Sequence, residues 1–276
     1  MGFMKTVKTA ALLLALLPQV GTASSGGAVL PNENWGFQGI FGKFDQGALK
    51  RGAQVVVQVC LGCHGVKYIK FDQLRKIGLN ENEVIQLAEF VGKSKNDSMK
   101  SSMDPESAKE SFGVVPPDLS LITKARKGYE NYTFGLLTGY VTEQEKALVD
   151  KALADNNLSD TEIKELAATL QLDASHPDKM REVLTRIQNG DNFNKYFPGH
   201  FFAMPMPLAS GAVEYVDGTE NSQKQLARDA VTFLAWAAEP TMEERKSAGI
   251  NVMLYLVVFT AMLYAVKRRV WAKVHH

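Results

Sequence analysis

Cys60-Leu61-Gly62-Cys63-His64 holds both cysteines of the 276-residue chain and sets a histidine directly after the second. C-x-x-C-H is the attachment signature of a c-type haem. Two thiols three positions apart on one helical turn can bond the two vinyl groups of one porphyrin. The imidazole that follows then comes under the iron as proximal ligand. Two other chemistries share the C-x-x-C core. A zinc site needs more Cys or His nearby, and His176, His200, His275 and His276 all lie far off in sequence. A thioredoxin-like site expects a βαβ context and has no use for the histidine. The motif therefore predicts one haem c, attached through Cys60 and Cys63, with His64 as an axial ligand.

Upstream of the motif, Asp45 can N-cap a helix running to about Val59. Leu49, Ala53, Val56 and Val57 recur at helical spacing, and Gly52 leaves a flat spot where another helix can cross closely. A second helix is predicted from about Ser222 to Ala238. Leu226, Ala230, Phe233, Leu234 and Ala237 form its apolar face, and Pro240 stops it. The two helices are expected to pack across each other. Between them lie Gly- and Pro-rich loops, as suits a backbone wrapped round a flat cofactor. Val114 to Ser120 reads as extended and then turns into a helix capped by Asp118 or Ser120. Asn131 to Tyr140 reads as a short apolar helix, Lys93 to Ser111 as a mobile loop, and Glu143 to Leu170 as two polar helices on the surface. No run of strands is expected. The fold class is mainly α: a cytochrome c-like single-haem domain with long loops, plus one C-terminal transmembrane helix.

The chain ends fit this reading. Lys5 and Lys8, the apolar run Ala10 to Leu17 and the small residues Gly21-Thr22-Ala23-Ser24 read as a signal peptide over residues 1–24. Residues 25–246 are expected to form the outer domain, with an insertion near 143–175. From Ser247 to Val266 no residue is charged. At roughly 1.5 Å rise per residue such a run is about 30 Å long and matches the hydrocarbon core, so 247–266 reads as a transmembrane helix. Lys267, Arg268, Arg269 and Lys273 make 267–276 a basic tail, which the positive-inside rule puts in the cytoplasm. The outer domain then faces the periplasm. Of 31 Lys and Arg, two sit in the leader and four in the tail, leaving 25 against 30 Asp and Glu. That acidic balance favours a basic partner and argues against nucleic acid.

An electron carrier normally needs a sixth ligand to keep the iron low-spin. Met204 and Met206 share the segment Phe202-Ala203-Met204-Pro205-Met206-Pro207-Leu208, where prolines fix the backbone on both sides of a thioether. Either can serve on chemistry alone. His200 would give bis-His ligation, and Met99 and Met103 read as residues of a polar loop and poor candidates. A haem with an open sixth position would instead suit a peroxidase-like enzyme that binds carbon monoxide.

Together these motifs resemble the cytochrome c1 family in its bacterial form, the haem subunits of cytochrome bc1 complexes. The resemblance runs over nearly the whole mature chain, in order: Trp35-Gly36-Phe37 to Asp45, the C-x-x-C-H helix, Pro116-Pro117-Asp118-Leu119-Ser120, Leu136-Leu137-Thr138-Gly139-Tyr140, Tyr196-Phe197-Pro198-Gly199, Ala203-Met204-Pro205, Val216-Asp217-Gly218-Thr219 and Trp236-Ala237-Ala238-Glu239-Pro240. It implies His64 and Met204 as axial ligands, Arg126 as a partner of a haem propionate, and Pro117, Tyr132, Leu136 and Phe197 as haem-lining residues. It also implies electron transfer from a Rieske iron–sulfur protein to a c-type cytochrome, beside a cytochrome b subunit, in the bacterial inner membrane, with no other catalysis on this chain. The alternative is an anchored c-type cytochrome of another respiratory oxidase or dehydrogenase.

Overall fold

The structure is a computed structural model that describes residues 28–154, 160–173, 175 and 177–272. The expected signal peptide, His176 and the end of the basic tail with His275 and His276 lie outside the described residues.

Helix α1, Gln46–Gln58, opens where the side chain of Asp45 accepts from the Ala48 N–H at 2.6 Å. That cap satisfies one of the free N–H groups of the first turn. The helix buries Leu49, Ala53, Val55, Val56 and Val57 and runs into a 3₁₀ turn, Cys60–Gly62, that carries the haem motif. Strand β1, Val66–Lys70, follows. A second 3₁₀ segment, Phe71–Ile77, leads to α2, Glu81–Phe90, which Asn80 and Glu83 close in a capping box.

The expected loop over Lys93 to Ser111 is ordered instead. Strand β2, Ser98–Met99, pairs antiparallel with β1, and Met99 is fully buried in the core rather than in a polar loop. These two short strands are the one sheet among the described residues, so no run of strands forms, and a two-residue strand carries no alternation to read. Helix α3, Pro105–Phe112, starts on Asp104, whose carboxylate accepts from the N–H groups of Glu106 and Ser107, and stops at Gly113 with φ +72°.

Two short helices come next, α4, Ile122–Ala125, and α5, Tyr129–Thr138. Three more follow: α6, Glu143–Ala154, α7, Asp160–Leu170, and α8, Pro177–Gln188. They enclose a small second core of Val149, Ala152, Leu166, Ala167, Leu170, Met180, Leu184 and Ile187, which Phe193 joins from the following loop. The polar composition of this stretch conceals those apolar positions, because each helix contributes only two or three of them.

Helix α9, Gln223–Ala238, is buried on almost every side and packs across α1 at Gly52. A Cβ at Gly52 would lie 2.1 Å from the Asp229 carbonyl oxygen and 2.8 Å from the Phe233 Cβ, so only glycine admits this approach. Beside the crossing, Arg51 Nε and Nη2 donate to the two carboxylate oxygens of Asp229 at 2.8 and 3.2 Å, and Nη1 donates to Asp217 at 2.8 Å. Those bonds hold Arg51 above its ordinary value and Asp217 down at about 2.

Helix α10, Met242–Trp271, ends the described chain. Every residue from Asn251 to Ala272 is exposed, although the run includes Val252, Leu254, Val257, Phe259 and Leu263. Among the described residues nothing packs on this part of the helix, which is long and apolar enough to cross a membrane and is a candidate membrane span.

Candidate haem site

The chain after the motif is tied to the Pro116–Ser120 segment by three polar contacts, and a fourth braces the segment internally. The Leu119 N–H donates to the Gly65 carbonyl at 2.7 Å. The Lys67 N–H donates to Asp118 Oδ2 at 3.1 Å, and the Tyr68 N–H donates to Ser120 Oγ at 3.2 Å. Asp118 Oδ1 accepts from the Ser120 N–H at 3.0 Å. Asp118 therefore braces the loop rather than capping a helix, as its sequence position suggested. Helix α4 begins after Leu121, and no side chain caps it. A Cβ at Gly65 would lie 2.9 Å from Asp118 Oδ2, so glycine permits the close approach.

This stitching brings the Pro117 carbonyl to 2.7 Å from His64 Nδ1. A carbonyl oxygen can only accept, so Nδ1 carries the proton and Nε2 keeps its lone pair. That is the tautomer and orientation a metal-ligating histidine needs. Burial lowers the His64 pKa, opposed by the Pro117 hydrogen bond and the Asp118 charge, which keeps the imidazole neutral at neutral pH.

Cys60 and Cys63 are not joined to each other in a disulfide. Burial, reinforced by Cys63, pushes the Cys60 thiol up to about 12. The Ser102 N–H donates to the Leu61 carbonyl at 2.7 Å, so the motif is braced from a second side.

The methionine side is built from α5 and the loop 193–208. Asn194 is fully buried and joins the two: its Nδ2 donates to the Leu136 carbonyl at 2.8 Å and its Oδ1 accepts from the Tyr196 N–H at 3.0 Å. Gly139 is obligatory here, since a Cβ would lie 2.5 Å from the Tyr196 ring. Phe202 stacks on Phe197 at 4.6 Å between centroids and on Tyr140 at 5.8 Å. The Tyr140 hydroxyl donates to the Met204 carbonyl at 3.0 Å and lies 3.2 Å from that of Pro205. Burial raises the Tyr140 phenol far above its ordinary value, so it remains a donor. Met204 is half-buried, Met206 is 50 % exposed, and Leu208 is buried and pins the end of the segment. His200 turns elsewhere: its ring stacks on Phe193 at 5.4 Å and its Nδ1 lies 3.3 Å from the Asn194 carbonyl.

The remaining sequence candidates are also placed. Pro117 and Arg126 are exposed; Tyr132, Leu136 and Phe197 are half-buried. Burial raises the Tyr132 pKa, and the Arg126 charge opposes that rise. Tyr140, Asn194 and Asp118 were not singled out as site residues from sequence. Each acts through a backbone partner distant in the chain, a relation that carries no local signature.

The donor set fits a c-type haem: two thiols, a neutral imidazole with Nε2 available, and a thioether in a loop fixed by prolines and aromatic rings. Fold and site together define a membrane-anchored c-type cytochrome with a single covalent haem. The chain belongs to the Cytochrome C1 family, whose model matches residues 35–274. The cytochrome c1 of Rhodospirillum rubrum is 35% identical over 289 residues, covering 99% of this chain and 98% of its own length. That of Blastochloris viridis is 31% identical, covering 98% and 97%. The mitochondrial cytochrome b-c1 complex catalytic subunit of Candida albicans is 31% identical, covering 92% and 81%.

Proposed function

We propose that the chain is the haem-bearing subunit of a quinol–cytochrome c reductase. It takes single electrons from a Rieske iron–sulfur protein and passes them to a c-type cytochrome, beside a cytochrome b subunit that oxidises quinol. The observation that carries this reading is the His64–Pro117 hydrogen bond at 2.7 Å, which leaves Nε2 free as a ligand directly after two thiols. The names of the relatives support membership of a bc1 complex.

Haem c supplies a one-electron couple when bound. The chain's part is to hold it. Cys60 and Cys63 tether it, His64 ligates from the braced side, and Met204 ligates from the clamped loop. Met rather than His as second ligand raises the potential, which suits an acceptor downstream of quinol. Met204 is preferred to Met206 because its sulfur stands on the less exposed residue and its carbonyl is the one Tyr140 holds. Arg126, which is exposed, would pair with a propionate, and Pro117, Tyr132, Leu136 and Phe197 would line the ring. The acidic outer domain steers in a basic acceptor at low salt. Lys267, Arg268 and Arg269 at the far end of α10 support a cytoplasmic tail and a periplasmic haem domain in a bacterial inner membrane.

A reduced-minus-oxidised visible spectrum of the chain, purified from its native membranes in mild detergent, tests the proposal. The expected result is a c-type band accompanied by b-type bands, with the haem surviving acid–acetone extraction on this chain. A c-type band alone would assign the chain to a stand-alone anchored cytochrome.

A further inference from the structure

Two large apolar side chains project from the domain at its junction with the membrane helix: Ile40, 68% exposed, and Phe41, 82% exposed. They form the tip of a tight loop over residues 37–44. Gly39 has φ +77°, in the left-handed region, and a Cβ on Gly42 would lie 1.9 Å from the Gln38 carbonyl oxygen, so the turn requires both glycines. The base of the loop is anchored in the core, where the buried rings of Phe37 and Phe44 stand 4.7 Å apart.

The same base is bonded to α10. Lys246 Nζ donates to the carbonyls of Phe37 at 2.6 Å and Gly42 at 3.1 Å, and the Phe44 N–H donates to the Glu243 carboxylate at 2.8 Å. Lys246 is the last charged residue before the uncharged run that begins at Ser247. It marks the level at which the helix enters hydrocarbon. The loop base therefore stands within one lysine side chain of that level, and the headgroup layer beyond it is where an aromatic tip is favoured. Lys43, next to the loop tip, is an exposed cation suited to headgroups.

We propose that the Gly39–Gly42 loop sets Ile40 and Phe41 into the lipid interface beside the helix. The bilayer is the occupant because the base of this apolar tip is bonded to the anchor helix at Glu243 and Lys246, immediately before its uncharged apolar run begins. A single spanning helix leaves the domain free to swivel and tilt. A second apolar foot beside it fixes how the haem domain stands on the membrane. The proposal rests on α10 being the anchor.

The test uses the full haem-loaded chain in phosphatidylcholine nanodiscs, spin-labelled at Ile40→Cys or, separately, Phe41→Cys. Tyr255→Cys within the apolar run gives the bilayer reference, and Val216→Cys, at a residue 98% exposed, the water reference. Oxygen is expected to relax the labels at 40 and 41 more than a water-soluble nickel chelate does, the order found at 255 and the reverse of that at 216. Chelate dominance at 40 and 41, with 255 still reading as bilayer, would overturn the proposal. Shielding of 40 and 41 only when the other subunits of the native complex are present would overturn it too, in favour of a protein contact. Chelate dominance at 255 as well would remove the anchor itself and with it the basis of the proposal.

Discussion

The segment that carries His64 and the loop that carries Met204 are held in opposite ways. His64 follows a helix buried in the main core, and backbone or side-chain bonds from Gly65, Lys67 and Tyr68 reach directly across to the Pro116–Ser120 segment. Met204 sits in a half-exposed proline loop held by one tyrosine hydroxyl, a stack of aromatic rings and a buried leucine. Its support comes partly from the second core, through Phe193 and Phe201. The histidine side is a fixed wall. The methionine side is a clamp of few parts, and under the proposed ligation it is where the ligand strength and the potential would be adjusted without unfolding the domain.

The contrast can be broken first at the wall. Gly52→Val forces α1 and α9 apart, because a Cβ already lies 2.1 Å from the Asp229 carbonyl oxygen. The expected cost is more than about 3 kcal/mol, read as loss of the haem-loaded chain from membranes. Normal accumulation would show the crossing to be looser than described. Arg51→Leu comes next. It leaves the Asp229 carboxylate buried with its charge unpaired, at a cost of about 3 kcal/mol in denaturant unfolding. The haem spectrum should not change, and Arg51→Leu combined with Asp229→Leu should recover most of the loss.

The clamp should respond differently. Tyr140→Phe removes the donor to the Met204 carbonyl and is expected to cost only about 1 kcal/mol of stability. Its larger effect is local: the methionine–iron charge-transfer band weakens and exogenous ligands bind faster. An unaltered band would mean that the hydroxyl does not position the loop. The smallest effect concerns pH. Arg51 depresses Asp217 to about 2, so the stability this carboxylate contributes is complete above the ordinary Asp range and is lost as pH falls through about 2. Asp217→Asn should flatten that part of an acid-unfolding curve and leave neutral pH nearly unchanged.

The wall was more legible in the sequence than the clamp, for a physical reason. C-x-x-C-H, the α1 and α9 periodicities, the gap at Gly52 and the long apolar run of α10 are patterns within one stretch of chain. The helix α3 was missed despite its Asp104-Pro105 start, because its charged and Ser-rich composition outweighed the cap. Strand β2 has two residues and no period. The small core of α6, α7 and α8 is spread over short apolar sets such as Met180, Leu184 and Ile187. Tyr140 and Asn194 reveal their work only when residues far apart in the chain meet. The resemblance placed Pro117 against the haem. The geometry adds what its carbonyl does: it orients the His64 ring.

The claim that Met204 is the adjustable side is tested most directly by potentiometric titration of the haem in native membranes, comparing Met204→Leu with Met206→Leu. Met204→Leu is expected to lower the potential by on the order of 100 mV, within the range that axial ligands span, and to let carbon monoxide bind the ferrous haem. Met206→Leu should leave both unchanged. The opposite pattern, with Met206→Leu lowering the potential and Met204→Leu silent, would contradict the account.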